Sequence, residues 1–183
     1  PTGAARQDLR SWTRQLKNKG IKIRSLNLTN DSTIPDNTSV LVIASPQRDL
    51  LPGEVQIIQD YVAKGGNLLW LAEPGSLHGL RPLAGELGIE FLPGVIVDPN
   101  TQLLGVGDPR FALVADYPPH PITQDFTSLT LYPQARGMDY ERGTKTWETE
   151  PFLETLPRSW AETGEMSGEI RMDRGEDIPG PLT

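Results

Sequence analysis

Between Val40 and Ala72 the chain sets two short unbroken apolar runs on either side of one amphipathic stretch. The first run is Val40-Leu41-Val42-Ile43-Ala44, and the second is Leu68-Leu69-Trp70-Leu71-Ala72. The turn Ser45-Pro46-Gln47 and the start Leu51-Pro52-Gly53-Glu54 lead into a helix with Val55, Ile58 and Val62 on one face, stopped by Gly65-Gly66. This pattern predicts a strand–helix–strand unit with parallel strands buried on both faces. Open α/β sheets bind ligands outside the carboxyl ends of their strands. Here those ends read Ala44-Ser45-Pro46-Gln47 and Ala72-Glu73-Pro74-Gly75.

The flanking pattern extends this picture. Leu9, Trp12 and Leu16 recur at helical spacing and predict a helix over 5–19 that Gly20 stops. Ile21, Ile23, Leu26 and Leu28 read as a first strand, and Leu80, Leu83 and Leu87 as a short helix over 78–87 ended by Gly88. Ile89–Leu92 and Gly94–Asp98 are further strands. This order predicts an open, mostly parallel sheet with helices on both faces. Beyond residue 98 Pro and Gly become frequent and helical periodicity ends. The strand-like pieces there (Phe111–Val114, Leu129–Tyr132, Phe152–Leu156, Glu169–Met172) read as antiparallel additions to the same sheet. The expected organisation is one domain over 1–183, with an α/β core over 1–98 and a strand- and loop-rich extension over 99–183.

Composition narrows the function classes. The chain has 183 residues, enough for a substantial core, and a net charge of −7 that argues against nucleic-acid binding. The early basic residues (Arg6, Arg10, Arg14, Lys17) fall at spacings that suit the solvent face of the first helix. The absence of cysteine removes thiol nucleophiles, disulfides and cysteine-based zinc sites. No run approaches the ~20 apolar residues of a membrane span. The abrupt start at Pro1-Thr2-Gly3 and the loop-like end at Asp177–Pro181 suggest a piece of something longer.

Few constellations carry chemistry. The strand ends bear Pro where a dinucleotide site needs a Gly-rich turn, and no phosphate-cradling Gly-Lys-Ser/Thr loop is present. Ser45 follows a strand, but Pro46 removes a main-chain donor that an oxyanion hole would use. Glu73 stands just past a strand end, with His78 close by in sequence, and an acid–base or metal pair is the sharper reading of the two. His120 sits among Pro118, Pro119 and Pro121 and is expected to hydrogen-bond a loop closing over the sheet edge. Asp before Pro at Asp98 and Asp108 suits turn starts. Trp147 and Trp160 suggest an exposed patch for a partner. The candidate ligand-binding residues are Ser45, Gln47, Glu73, His78 and Asp98, with no catalytic residue, metal or cofactor assigned.

Three strings carry a family resemblance: Lys19-Gly20-Ile21 to Leu26-Asn27-Leu28, Ile34-Pro35 to Leu41-Val42-Ile43-Ala44-Ser45-Pro46, and Gly65-Gly66-Asn67-Leu68-Leu69. Leu103-Leu104-Gly105 and Asp116-Tyr117 to His120-Pro121-Ile122-Thr123 continue it. The chain resembles the soluble domain of the uncharacterised ABC-type transport system auxiliary component, a family that includes gliding-motility auxiliary proteins. The resemblance implies a domain on the periplasmic or other extracytoplasmic face, anchored by membrane segments outside this sequence and working beside an ABC permease and ATPase. It also implies a class I glutamine-amidotransferase-like, flavodoxin-like fold. That chemistry needs a Cys nucleophile, so the fold would come without the activity. The expectation is a non-enzymatic module of an export or motility system, acting through protein contacts or a ligand. A solute- or carbohydrate-binding receptor component is the alternative, and a metal-dependent hydrolase using Glu73 and His78 is the second.

Overall fold

The computed structural model describes residues 9–141, 146–167 and 170–183. The chain divides into two compact units, residues 1–36 and 37–183.

In the first unit the Leu9/Trp12/Leu16 periodicity gives one helix, α1 (Arg10–Asn18), with Lys17 in its last turn, where a cation complements the helix dipole. Residues 5–8 of the predicted helix lie outside the described residues, as does Arg6. Gly20 ends the helix with φ +83°, in the left-handed region where a side chain is strained. Ile21–Leu28 does not form the expected strand. Alternation makes a segment suited to pairing, but a strand exists only with a ladder partner, and Ile21 and Ile23 stay 48% and 38% exposed.

In the second unit the strand–helix–strand reading holds. β1 (Leu41–Ala44) pairs in parallel with β2 (Leu68–Leu71), in the register Leu41 to Leu68 through Ala44 to Leu71. Between them runs α2 (Pro52–Ala63). Pro52 is pre-organised for a first helical turn, and the Glu54 carboxylate accepts the Leu51 N–H at 2.8 Å. Val55, Ile58 and Val62 are buried as their spacing predicts. α3 (Arg81–Leu87) packs beside α2, with Leu80 and Leu83 fully buried and Gln59 bridged to Glu86 at 2.9 Å. Burial on both sheet faces does not hold, however. Val42, Leu69 and Leu71 are each 39% exposed, while Ile43 is buried.

The expected open, mostly parallel sheet with helices on both faces is incorrect. Apart from the β1–β2 pair, the described strands form three small antiparallel sheets. β3 (Ile89–Phe91) pairs with β7 (Met138–Tyr140). β8 (Trp160–Glu162) lies between β4 (Val95–Val97) and β9 (Ile178–Pro179). β5 (Phe111–Val114) pairs with β6 (Thr130–Pro133). Each of these ladders is antiparallel, so the segments after residue 88 turn back on one another instead of joining the parallel pair. Phe152–Leu156 is not a strand. There the Thr155 hydroxyl accepts the Leu182 N–H at 2.8 Å, and Thr155 N–H bonds the Leu182 carbonyl at 2.9 Å, so a side chain replaces one side of a ladder. Residues 170–172 carry no strand either, and Glu169 lies outside the described residues. A core of Ile96, Ala112, Ala161 and Leu182 fills this antiparallel region.

Candidate functional site

The carboxyl ends of β1 and β2 turn into two loops that hold each other. Leu50 N–H bonds the His78 carbonyl at 3.0 Å, and His78 Nδ1 lies 3.0 Å from the Asp49 carboxylate. Ser45 N–H and Oγ–H both reach the Leu71 carbonyl, at 2.9 and 3.3 Å. Gln47 Nε2 donates to the Ser45 carbonyl at 3.0 Å, and Ser76 Oγ accepts the His78 N–H at 3.1 Å. Ser45 and His78 have φ of +41° and +48°. Such conformations are costly for non-glycine residues and persist where surrounding structure imposes them.

Between the loops lies a polar cavity of about 220 Å³ lined by Ser45, Gln47, Trp70, Glu73, Ser76 and His78. The half-buried Glu73 carboxylate makes no hydrogen bond or ion pair among the described residues, so its acceptor capacity is open to the cavity. Four of the five residues expected from the sequence thus meet at one place.

Asp98 does not join them. Its strand, β4, belongs to an antiparallel sheet, and the chain then enters a 3-10 helix over Pro99–Leu104. Asp98 is fully buried and caps that helix, its Oδ1 accepting from Asn100 N and Nδ2 at 2.9 and 2.7 Å. Its Oδ2 has no hydrogen-bond partner among the described residues.

Sequence reasoning missed Arg136, which supports the site from behind. Its Nη1 donates to the carbonyls of Glu73 and Gly75 at 3.1 Å each. Its Nη2 donates to Leu92 and Phe91, at 2.8 and 3.2 Å, and Nε to Leu92 at 3.3 Å. The guanidinium carbon lies 5.2 Å from the Phe91 ring centroid, and Phe91 meets Trp70 edge-on at 4.8 Å. Burial, and then the charge of Arg81, lower the Arg136 pKa from its ordinary value. No local sequence signal marks this residue, because its partners lie 44 to 63 positions away.

Other expected residues fall elsewhere. His120 Nδ1 accepts the Ile122 N–H at 3.1 Å, its ring stacks on Phe152 at 4.8 Å, and Nε2 lies 3.8 Å from Glu150. Trp160 is buried in β8 with Nε1 donating to Glu162 at 3.1 Å, so it forms no exposed patch. Among the described residues no three His, Cys, Asp or Glu side chains gather to hold a metal, and no helix is long and apolar enough to cross a membrane.

A family model described as "ABC-type uncharacterized transport system" matches residues 3–179, nearly the whole chain. No curated protein matches. Among solved structures, one titled "mmIFT52 N-terminal domain" is similar in fold, with a TM-score of 0.55 at 20% identity. The match covers 72% of this chain and 64% of that one. At that identity the likeness concerns the fold alone.

Proposed function

This chain belongs to the ABC-type uncharacterized transport system family and is a component of an ABC-type transport system; from that premise we propose that it is a non-catalytic extracytoplasmic module that binds a small polar solute at the β1–β2 strand ends. The observation that carries this reading is the convergence of Ser45, Gln47, Glu73 and His78 around one 220 Å³ polar cavity, with two of the four held at positive φ. The cavity offers an open carboxylate, amide and hydroxyl groups, and the indole of Trp70. Such a set suits hydrogen-bonded recognition. It offers less for nucleophilic catalysis, since the Ser45 Oγ–H is directed at the Leu71 main-chain carbonyl and not at His78. In this account the module works beside a permease and an ATPase, joined to the membrane through other segments of its protein.

Thermal denaturation against a panel of sugars, amino acids, peptides, nucleotides and metal ions tests the binding. A solute at 100 times its dissociation constant adds about 2.7 kcal/mol of stability. A panel without any shift counts against the reading. Location is tested separately through the absence of cysteine. In Arg48→Cys, at an exposed loop position, a membrane-impermeant maleimide should label the protein in intact cells. Labelling only after lysis contradicts an extracytoplasmic position.

A further inference from the structure

A second cavity, of about 360 Å³, lies in the antiparallel part of the 37–183 unit and shares no lining residue with the strand-end site. Its walls include Ile96 of β4, Ala112 and Val114 of β5, Tyr132 of β6, Phe152 and Leu182. Ile96, Ala112 and Leu182 are core residues, 3%, 2% and 5% exposed. The cavity is therefore a pocket floored by core residues and partly open to solvent, with exposed Met138, Asp139 and Glu150 at its rim.

A recess of this size is not closed over by the packed interior. Protein cores approach the density of organic crystals, with few voids larger than a water molecule. An engineered apolar cavity of about 150 Å³ takes up benzene, and this one is more than twice as large. Left without an apolar occupant, the core side chains of its floor would lack dispersion contacts on the side that faces the pocket.

The inner polar groups Arg136 and Thr155 are already matched. Arg136 uses all five N–H groups on main-chain carbonyls. The Thr155 hydroxyl lies 2.7 Å from Ser159 Oγ and accepts the Leu182 N–H. Asp139 is exposed and its Oδ1 accepts the Tyr140 N–H, while the Glu150 side chain is 65% exposed. A charged group set against the inner walls would lose its hydration there, the Asp139 and Glu150 carboxylates lying at the exposed rim. One wall, residues 149–155, has neither helix nor strand. Such a segment opens locally at lower cost than a paired one.

We infer that this chamber binds a neutral, hydrocarbon-rich small molecule larger than benzene, an acyl chain or a fused-ring group. The site is independent of the polar cavity and stands or falls apart from it.

Titration with N-phenyl-1-naphthylamine, a neutral fluorescent probe, tests the inference. Saturable one-to-one enhancement is expected, with binding weakened at least about tenfold in Ala112→Leu, which fills the chamber. Ala135→Leu fills it from a half-buried position and serves if Ala112→Leu does not fold. Leu69→Ser, on the exposed face of β2, should bind as the unsubstituted protein does. In that unsubstituted protein, intermolecular NOEs from the Ile96 and Val114 methyls to the probe locate it without any substitution. No enhancement, NOEs from Leu69 in place of Ile96 and Val114, or full binding by a folded filling variant would overturn the inference.

Discussion

Arg136 reaches across 63 positions of sequence to donate a 3.1 Å hydrogen bond from Nη1 to the main-chain carbonyl of Glu73. The same guanidinium ties Gly75, Phe91 and Leu92. A single planar cation thus joins the loop after β2 to the end of β3. It does so without a carboxylate partner among the described residues, by satisfying four carbonyls at once. Arg136→Ala is expected to destabilise the fold by about 2–4 kcal/mol, since charged hydrogen bonds are lost and half-buried carbonyls lose their donors. Arg136→Lys should recover only part of this, because an ammonium offers three donors from a point and not five in a fork. Urea denaturation of the three proteins measures it, and full recovery with Lys would show that charge alone suffices.

Gly94 precedes β4 with φ +86°, and a Cβ placed there would collide with the Glu162 carbonyl of β8. Strain and collision both act against Gly94→Ala, which should cost at least about 2 kcal/mol. The β4–β8 ladder should be where the damage appears, as faster amide exchange at Val97 and its partner Trp160. A neutral substitution would mean that the two strands can separate without penalty.

Asp108 is held at a pKa of about 2, below the ordinary 3.8, first by the side-chain hydrogen bonds from Arg110 and then by the Arg110 main-chain N–H. Folding therefore favours the ionised form. The associated stability is complete above 3.8 and is lost as pH falls from 3.8 through about 2. Both side chains are substantially exposed, so the contribution is small and screened by salt. Thermal melts across that window should show a shallower acid decline for Asp108→Asn than for the unsubstituted protein. High salt should narrow the difference, and identical slopes would show that the pair carries no linked proton.

What was legible in the sequence was local. Val55, Ile58 and Val62 mark one helix face whatever surrounds them, and the apolar runs on either side fix β1, α2 and β2. The convergence of Ser45, Gln47, Glu73 and His78 followed from that unit, because both loops leave the same end of one parallel pair. Ladder partners were not legible. Phe111–Val114 reads equally well as an addition to the parallel pair and as the partner of β6, and only the fold selects the latter. Ile21–Leu28 alternates like a strand yet finds no ladder partner among the described residues. Asp98 was misplaced for the same reason, since it follows a strand that belongs to another sheet. Arg136 was missed because every bond it makes to the site is long-range.

Isothermal titration tests the central claim most directly, using the solute that gives the largest thermal shift, with the unsubstituted protein and Glu73→Ala compared. The Glu73 carboxylate has no partner among the described residues that its removal would strand, and the bond from Arg136 goes to the main-chain carbonyl, which alanine keeps, so the unfolding free energy should change by less than about 0.5 kcal/mol. The account predicts that affinity nonetheless falls at least about tenfold. Equal affinity in the two proteins would place the solute elsewhere and contradict a binding site at the β1–β2 strand ends.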